Sequence, residues 1–315
     1  MLVKFSQLLN NAAAAAAILA IGAAALAPAA AQEAGPSPQA PAAAADNAPP
    51  ANPRPLPPGY NGAFTDDPEA RGDTPEAQRG YDIAARSDRM DVGFGDSEVR
   101  LRMILRNAAG QETERELTFK TLEKENESVG DKGLIVFETP RDVAGTALLS
   151  HAKILEPDDQ WLFLPALRRV KRISSANKSG PFVGSEFAFE DFTAQELNKY
   201  TYRYIGEDLV DGMVMDIIER YPRYEKSGYT KQVGWYDREI FQLRKVEFYD
   251  RKDSLLKTLY LEDYREYDPG VWRAHRLRMV NHQTGKETDL IYSDFTFGVG
   301  LTDRDFVRGV LTRIR

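Results

Sequence analysis

The sequence predicts a mainly β (α+β) protein built on one large, strongly curved antiparallel sheet with a few helices over its apolar face. Three observations carry that expectation. Apolar and polar residues alternate with a period of two in run after run beyond residue 98, as in strands with one buried and one wet face. Turn-forming clusters separate the runs, at 107–110, 131–133, 250–253, 268–270 and 283–285. Helical periodicity is confined to one segment near residue 80 and to short capped stretches.

Taken in order, residues 1–31 read as a secretory signal peptide. Lys4 gives a positive start, Ala12–Ala27 an apolar stretch, and Ala29-Ala30-Ala31 a small-residue cleavage site before Gln32. Its alanine content and Pro28 argue against a retained membrane anchor. The chain has no cysteine, hence no disulfide and no thiol for a lipid anchor. Residues 32–72 read as a disordered linker: ten of the eighteen prolines fall between Glu33 and Arg71, with few large apolar residues. The folded domain is expected over 73–315. Asp73 or Thr74 caps a helix with Pro75 at its first position, and Ala77, Tyr81 and Ala84 share one face of it.

The alternating runs follow. They include Val99 to Leu105, Leu117 with Phe119, Tyr200 to Tyr204, Met213 to Ile217 and Leu290 with Tyr292. Counting them predicts about eight to eleven strands. Leu101, Met103, Leu117, Phe119, Val246, Phe248, Leu259, Leu261, Leu277 and Met279 are expected on one concave face. Further helical material is limited to a capping box at Thr193–Glu196 and a turn after Thr302. So little cover leaves room for a cavity, although a sheet plugged by its own side chains fits the pattern equally well.

The chemistry-bearing residues are sparse. The net charge is −7, or −8 once Lys4 leaves with the leader, which argues against nucleic acid as a partner. His151, His275 and His282 are scattered, read as exposed strand or loop residues, and form no metal-ligating pair. Gly184-Ser185 has no base beside it, and Asp158-Asp159 after Pro157 read as turn residues. No nucleophile elbow, phosphate loop or dinucleotide fingerprint is present. No catalytic residue, metal or cofactor is therefore expected; a hidden pair of glycosidase carboxylates is the one enzymatic alternative.

Residues 158–192, "DDQWLFLPALRRVKRISSANKSGPFVGSEFAFEDF", change character three times. Trp161 and Phe163 alternate with Leu162 and Leu164, a strand apolar on both faces. Arg168, Arg169, Lys171, Arg172 and Lys178 follow without an acid among them, then a glycine-containing connection, then Phe187 and Phe189. This is either a solvated hairpin or the mouth of a cavity. In the second reading Trp161, Phe163, Phe182, Phe187 and Phe189 enter the cavity, while Arg168, Arg169, Lys171 and Arg172 meet an anionic headgroup or membrane surface.

Together with "DVAGTALLSH", "VEFYDRKDSLLKTL" and "HRLRMVNHQTGKETDLIYSDF", this segment resembles the outer-membrane lipoprotein-sorting proteins, relatives of the LolA/LolB periplasmic carriers. The resemblance implies an unclosed β-barrel under helices, a concavity for acyl chains, no enzymatic activity, and association with inner-membrane transporters of the RND type. The lid-locking arginine of the carriers has no identifiable counterpart here. The expected function is periplasmic carriage of a lipid or acylated lipoprotein, with transient contact to an anionic membrane. The competing expectation is an adaptor of such a transporter, without cargo of its own.

Overall fold

The computed structural model describes residues 67–124, 130–194, 196–267 and 270–314. The expected signal peptide, its expected cleavage site and most of the expected linker lie outside the described residues. Two α-helices come first, α1 (Pro68–Arg71) and α2 (Pro75–Asp91). The strands are β1 (Asp96–Arg106), β2 (Glu112–Leu122), β3 (Lys132–Thr139), β4 (Ala147–His151), β5 (Asp159–Leu164), β6 (Arg169–Arg172) and β7 (Tyr200–Val210). They continue with β8 (Met213–Pro222), β9 (Tyr229–Asp237), β10 (Leu243–Asp250), β11 (Leu255–Tyr267), β12 (Val271–Asn281), β13 (Glu287–Tyr292) and β14 (Thr296–Phe297).

All fourteen strands form one antiparallel sheet in the order β6-β5-β4-β3-β2-β1-β13-β12-β11-β10-β9-β8-β7, with β14 beside β1. Two meanders, β1–β6 and β7–β13, are joined where β1 pairs with β13, Met103 opposite Leu290. The sheet does not close, so β6 and β7 are its two free edges. The connection from β6 to β7 must therefore carry the chain from one edge to the other. It does so as a strap of short 3-10 turns over the concave face. Phe182, Phe187 and Phe189 of the strap share a buried cluster with Met103, Leu117 and Phe137 from one meander and Val246, Phe248 and Met279 from the other.

Charge pairs pin the strap to the sheet. Lys257 Nζ donates to Asp191 Oδ2 at 2.6 Å and to the Glu186 carbonyl at 2.9 Å. Arg115 Nη1 donates to the Val183 carbonyl at 2.6 Å, and Asn281 Nδ2 to Glu186 Oε2 at 2.6 Å. Lys199, buried at the strap's end, reaches Asp158 Oδ1 at 2.9 Å. Such pairs are costly to break because removing one partner strands the other in a dry interior.

All ten residues expected on the concave face belong to, or pack against, that one cluster. The strand count exceeds the expected range because several strands are buried on both sides and do not alternate. In β3, Ile135 and Phe137 face the concavity while Leu134 and Val136 face outward; in β4, Leu148 faces in while Ala147 and Leu149 face out. The outer patch is covered by C-terminal 3-10 turns at Asp303–Phe306 and Arg308–Arg313, which bury Phe306 and Leu311. Gly133, expected in a turn, lies inside β3, and the capping box expected at Thr193–Glu196 does not cap a helix: Thr193 Oγ1 donates to the Glu190 carbonyl at 2.9 Å, and only the 3-10 turn Leu197–Lys199 follows.

The expected domain boundary moves. Asp67 caps α1, accepting from Glu69 N at 2.9 Å, and Ala70 is fully buried. Arg223 on the far side binds Asp67 and Glu69, both at 2.7 Å. Residues 67–72 are thus part of the fold rather than linker. α2 begins as expected, with Thr74 Oγ1 accepting from Ala77 N at 3.1 Å, and lays Tyr81 and Ala84 against Tyr200 and Tyr202 of β7. The two backbones approach so closely that a Cβ on Gly80 would stand 2.9 Å from Tyr204 N.

Candidate functional site

The strap fills only part of the concavity. Between it, α2 and the sheet lies a cavity of about 780 Å³. Val246 and Phe248 of β10, Leu259 and Leu261 of β11, Leu277 of β12 and Leu290 of β13 form its apolar floor. Val99 and Phe119 extend this surface from β1 and β2, and Phe187, Phe192 and Leu197 close it from the strap. The period-two alternation that builds the sheet is what brings these side chains to one surface.

Seven of the residues expected to line an acyl cavity do line this one: Phe119, Phe187, Val246, Phe248, Leu259, Leu261 and Leu277. Leu101, Met103, Leu117, Phe182, Phe189 and Met279 lie in the packed core on the same face and away from the cavity lining. Cavity and plug, posed as alternatives by the pattern, both occur on the same face.

Trp161 and Phe163 are placed differently from expectation. Register sets the parity of β5: Leu162 pairs with inward Leu148, whereas Trp161 pairs with outward Leu149. Leu162 and Leu164 therefore pack inward, and Trp161 and Phe163 join the outer cluster beneath the C-terminal turns. Arg168, Arg169, Lys171 and Arg172 sit exposed at edge strand β6, and none of the four lines the cavity. Arg172 pairs with Asp159, and Lys178 is buried, donating to the Asp158 carbonyl.

A polar wall faces the cavity that the pattern of the sequence does not announce. Asp88 and Asp91 of α2, Glu123, Asp131 and Glu196 all line it. Glu123 accepts from Gly93 N at 2.6 Å and Gly95 N at 2.7 Å, Asp131 Oδ1 accepts from Lys124 N at 2.8 Å, and Glu196 Oε1 accepts from Asp131 N at 3.3 Å. Burial pushes the Asp88 and Asp131 carboxyls well above the usual range, and the negative charge of Glu196 pushes both further. Burial also raises Glu123, against the pull of its two backbone donors. Asp91 is paired with Arg273. Beyond this group, Tyr202, Arg220, Tyr236 and Gln242 also line the cavity. Lysine, arginine and carboxylate side chains in the wall of an apolar pocket suit an amphiphile better than a plain hydrocarbon.

The histidines are structural. His275, expected at the surface, is buried, its ring between Tyr267 Oη at 2.8 Å and the Tyr292 carbonyl at 3.2 Å. His151 Nε2 meets the Phe306 carbonyl at 2.7 Å, and His282 Nε2 the Thr258 hydroxyl at 2.7 Å. Ser185 donates to the Phe182 carbonyl at 2.7 Å, holding the strap turn. Among the described residues no group of acids and histidines is arranged to hold a metal ion, and no helix is long and apolar enough to cross a membrane.

A family profile described only as an uncharacterized protein matches residues 130–313. No curated protein matches the chain. Among solved structures, an outer membrane lipoprotein-sorting protein domain from Vibrio parahaemolyticus is 48% identical, with a TM-score of 0.73, over 75% of this chain and 100% of its own. A DUF1329 family protein from Desulfovibrio piger is 30% identical, TM-score 0.71, over 76% of this chain and all of its own. A LolA superfamily protein from Nitrosomonas europaea, 20% identical with a TM-score of 0.60 over 75% of this chain and all of its own, shares the fold. With an open antiparallel sheet, a strap across its concave face and these relatives, the chain belongs to the family of outer-membrane lipoprotein-sorting proteins, and its fold is shared with the LolA superfamily structure.

Proposed function

We propose that the protein is a non-enzymatic carrier, exported to the periplasm by its leader, that holds acyl chains of a lipid or lipoprotein in the cavity during passage through the cell envelope. The observation that carries this reading is the 780 Å³ cavity with its continuous apolar floor. That volume lies within the range of about 300–1,000 Å³ typical of small-molecule sites. Each buried methylene contributes roughly 0.8 kcal/mol, so a single chain lying on Val246, Leu259 and Leu277 is enough for stable retention. The description of the Vibrio parahaemolyticus relative as a lipoprotein-sorting protein supports the same class of cargo.

The direct test is mass spectrometry of lipid extracted from the protein purified from its own periplasm, beside a variant whose cavity is filled. Leu259→Trp adds bulk to the floor without a charge. Stoichiometric lipid on the native protein and its loss from Leu259→Trp, with the fold retained by circular dichroism, are the expected results. A native protein that carries no lipid and takes up no acyl probe overturns the reading.

A further inference from the structure

Two polar side chains in the cavity wall stand out: a buried guanidinium with neutral partners only, and a buried amide with a free donor. Arg220 of β8 is 7% exposed and lines the cavity. Its Nε donates to Gln232 Oε1 at 2.6 Å, it hydrogen-bonds to the Tyr236 hydroxyl, and its guanidinium lies 5.1 Å from the centre of the Tyr200 ring. Among the described residues no carboxylate forms an ion pair with it. Gln242, 8% exposed, also lines the cavity, and its Nε2 has no hydrogen-bond partner. Sheet register gathers the two. Arg220 pairs with Gln232 on β9, β9 runs on to Tyr236, and Tyr236 pairs with Leu243, the neighbour of Gln242. Tyr236 thus contacts Arg220 and stands beside the Gln242 turn.

A buried guanidinium without an anion and a buried amide donor without an acceptor both destabilise the empty protein. Both groups offer N–H donors, and neither unmet need is filled by another donor. An oxyanion fills both, because its lone pairs take several charge-assisted hydrogen bonds at once. We propose that Arg220 and Gln242 form the polar end of the ligand site and bind the anionic head, a carboxylate or phosphate, of an amphiphile whose tail lies on the floor of the cavity. This rests on the carrier reading above and specifies its cargo. The negative charge of Glu196, in the wall of the same cavity, repels an oxyanion and so favours the Arg220 end for the head.

The test compares probes of one chain length on the mature protein by displacement of a fluorescent acyl probe: hexadecanol, hexadecylamine, hexadecanoic acid and hexadecyl phosphate, with inorganic phosphate alone as a fifth. The acid or the alkyl phosphate should bind about tenfold more tightly than the alcohol, as expected for one charge-assisted pair. The stronger of the two names the source of the head. Arg220→Met and Gln242→Leu should each narrow that gap. Arg220→Met removes a buried charge, so Gln242→Leu carries the test if the first variant does not fold. Equal binding of alcohol, amine and acid, or an undiminished gap in both variants, overturns the proposal while leaving the carrier reading standing. Inorganic phosphate binding as tightly as hexadecyl phosphate also overturns it, in favour of a free-anion site. Failure of all four amphiphiles to bind would instead remove the carrier reading on which it depends.

Discussion

At the scale of single residues, the structure turns on contacts that a substitution can isolate. Gly80 is the point where α2 touches the backbone of β7, and a Cβ there would stand 2.9–3.0 Å from main-chain atoms of Arg203 and Tyr204. Alanine favours a helix over glycine by about 1 kcal/mol, yet here the clash is with backbone that cannot rotate away. Gly80→Ala should therefore lower the melting temperature and Gly80→Val should lower it further; a rise for alanine would show that α2 can shift. Lys257→Met leaves Asp191 of the strap buried without its cation, and unfolding by denaturant should reveal a loss of about 3–5 kcal/mol. The cavity carboxylates set a pH dependence of definite sign. Asp88, Glu123 and Asp131 have raised carboxyls, so the folded state holds more protons than the unfolded chain. Their contribution is fully present at low pH and is lost as pH rises through the raised values. Asp303, held at about 2 by Lys124 and Lys132, acts in the opposite sense, its contribution lost as pH falls below the usual carboxylate range. Thermal unfolding followed across pH 4 to 8 should peak on the acid side, and Asp88→Asn should flatten the decline toward pH 8.

At the scale of elements, what could be read in advance depended on whether a strand has one buried face or two. β1, β2, β10, β11 and β12 each bury one face, and most of their inward apolar residues were legible from alternation, whereas the buried His275 of β12 was not. β3 and β4 bury both faces, β6 is four residues long, and none of the three shows a period. β8 misled for a subtler reason. Met213, Met215 and Ile217 alternate well, but they pack with Val233 and Trp235 in a separate cluster, while Ile218 shares a cluster with Tyr81 of α2 and Arg220 lines the cavity. A charged residue at the parity of Ile218 was the available signal of a polar site, and the second apolar face concealed it. β5 repeats the lesson with Trp161 and Phe163, whose orientation depends on turns more than 130 residues away in sequence (roughly the distance to Phe306). The placement can be measured. Trp272 lines the cavity whereas Trp161 does not. A brominated acyl chain should quench the protein's tryptophan emission, Trp272→Phe should remove most of the quenching, and Trp161→Phe should leave it. Quenching carried by Trp161 would put the cargo on the other side of the sheet. Phe306→Ala, by contrast, opens a void under the C-terminal turn and should cost about 3–5 kcal/mol.

At the scale of the whole molecule, charge is distributed unevenly over an open sheet. The chain is acidic overall, with a net charge of −7, and carboxylates gather around the cavity. Arg168, Arg169, Lys171 and Arg172 are exposed together at the β6 edge, where Leu167 is 68% exposed beside them. An anionic membrane would repel most of the surface and attract this edge, so the edge is the part we expect to meet the leaflet. Each such cation contributes about 1 kcal/mol near an anionic surface, within a Debye length of roughly 10 Å at 0.1 M salt. Arg172 is partly occupied by Asp159, which leaves Arg168, Arg169 and Lys171 as the main contributors. Changing these three to glutamate should abolish flotation with anionic vesicles at low salt. Wild-type binding should itself weaken as salt is added. Because all three are exposed, the melting temperature should move little. Because none of them lines the cavity, acyl-probe affinity in the absence of membranes should stay at the wild-type value. A charge-reversed protein that still floats would reduce the basic edge to a solvated strand that keeps other sheets from pairing with it. One that no longer takes up probe would tie the β6 edge to the cavity after all.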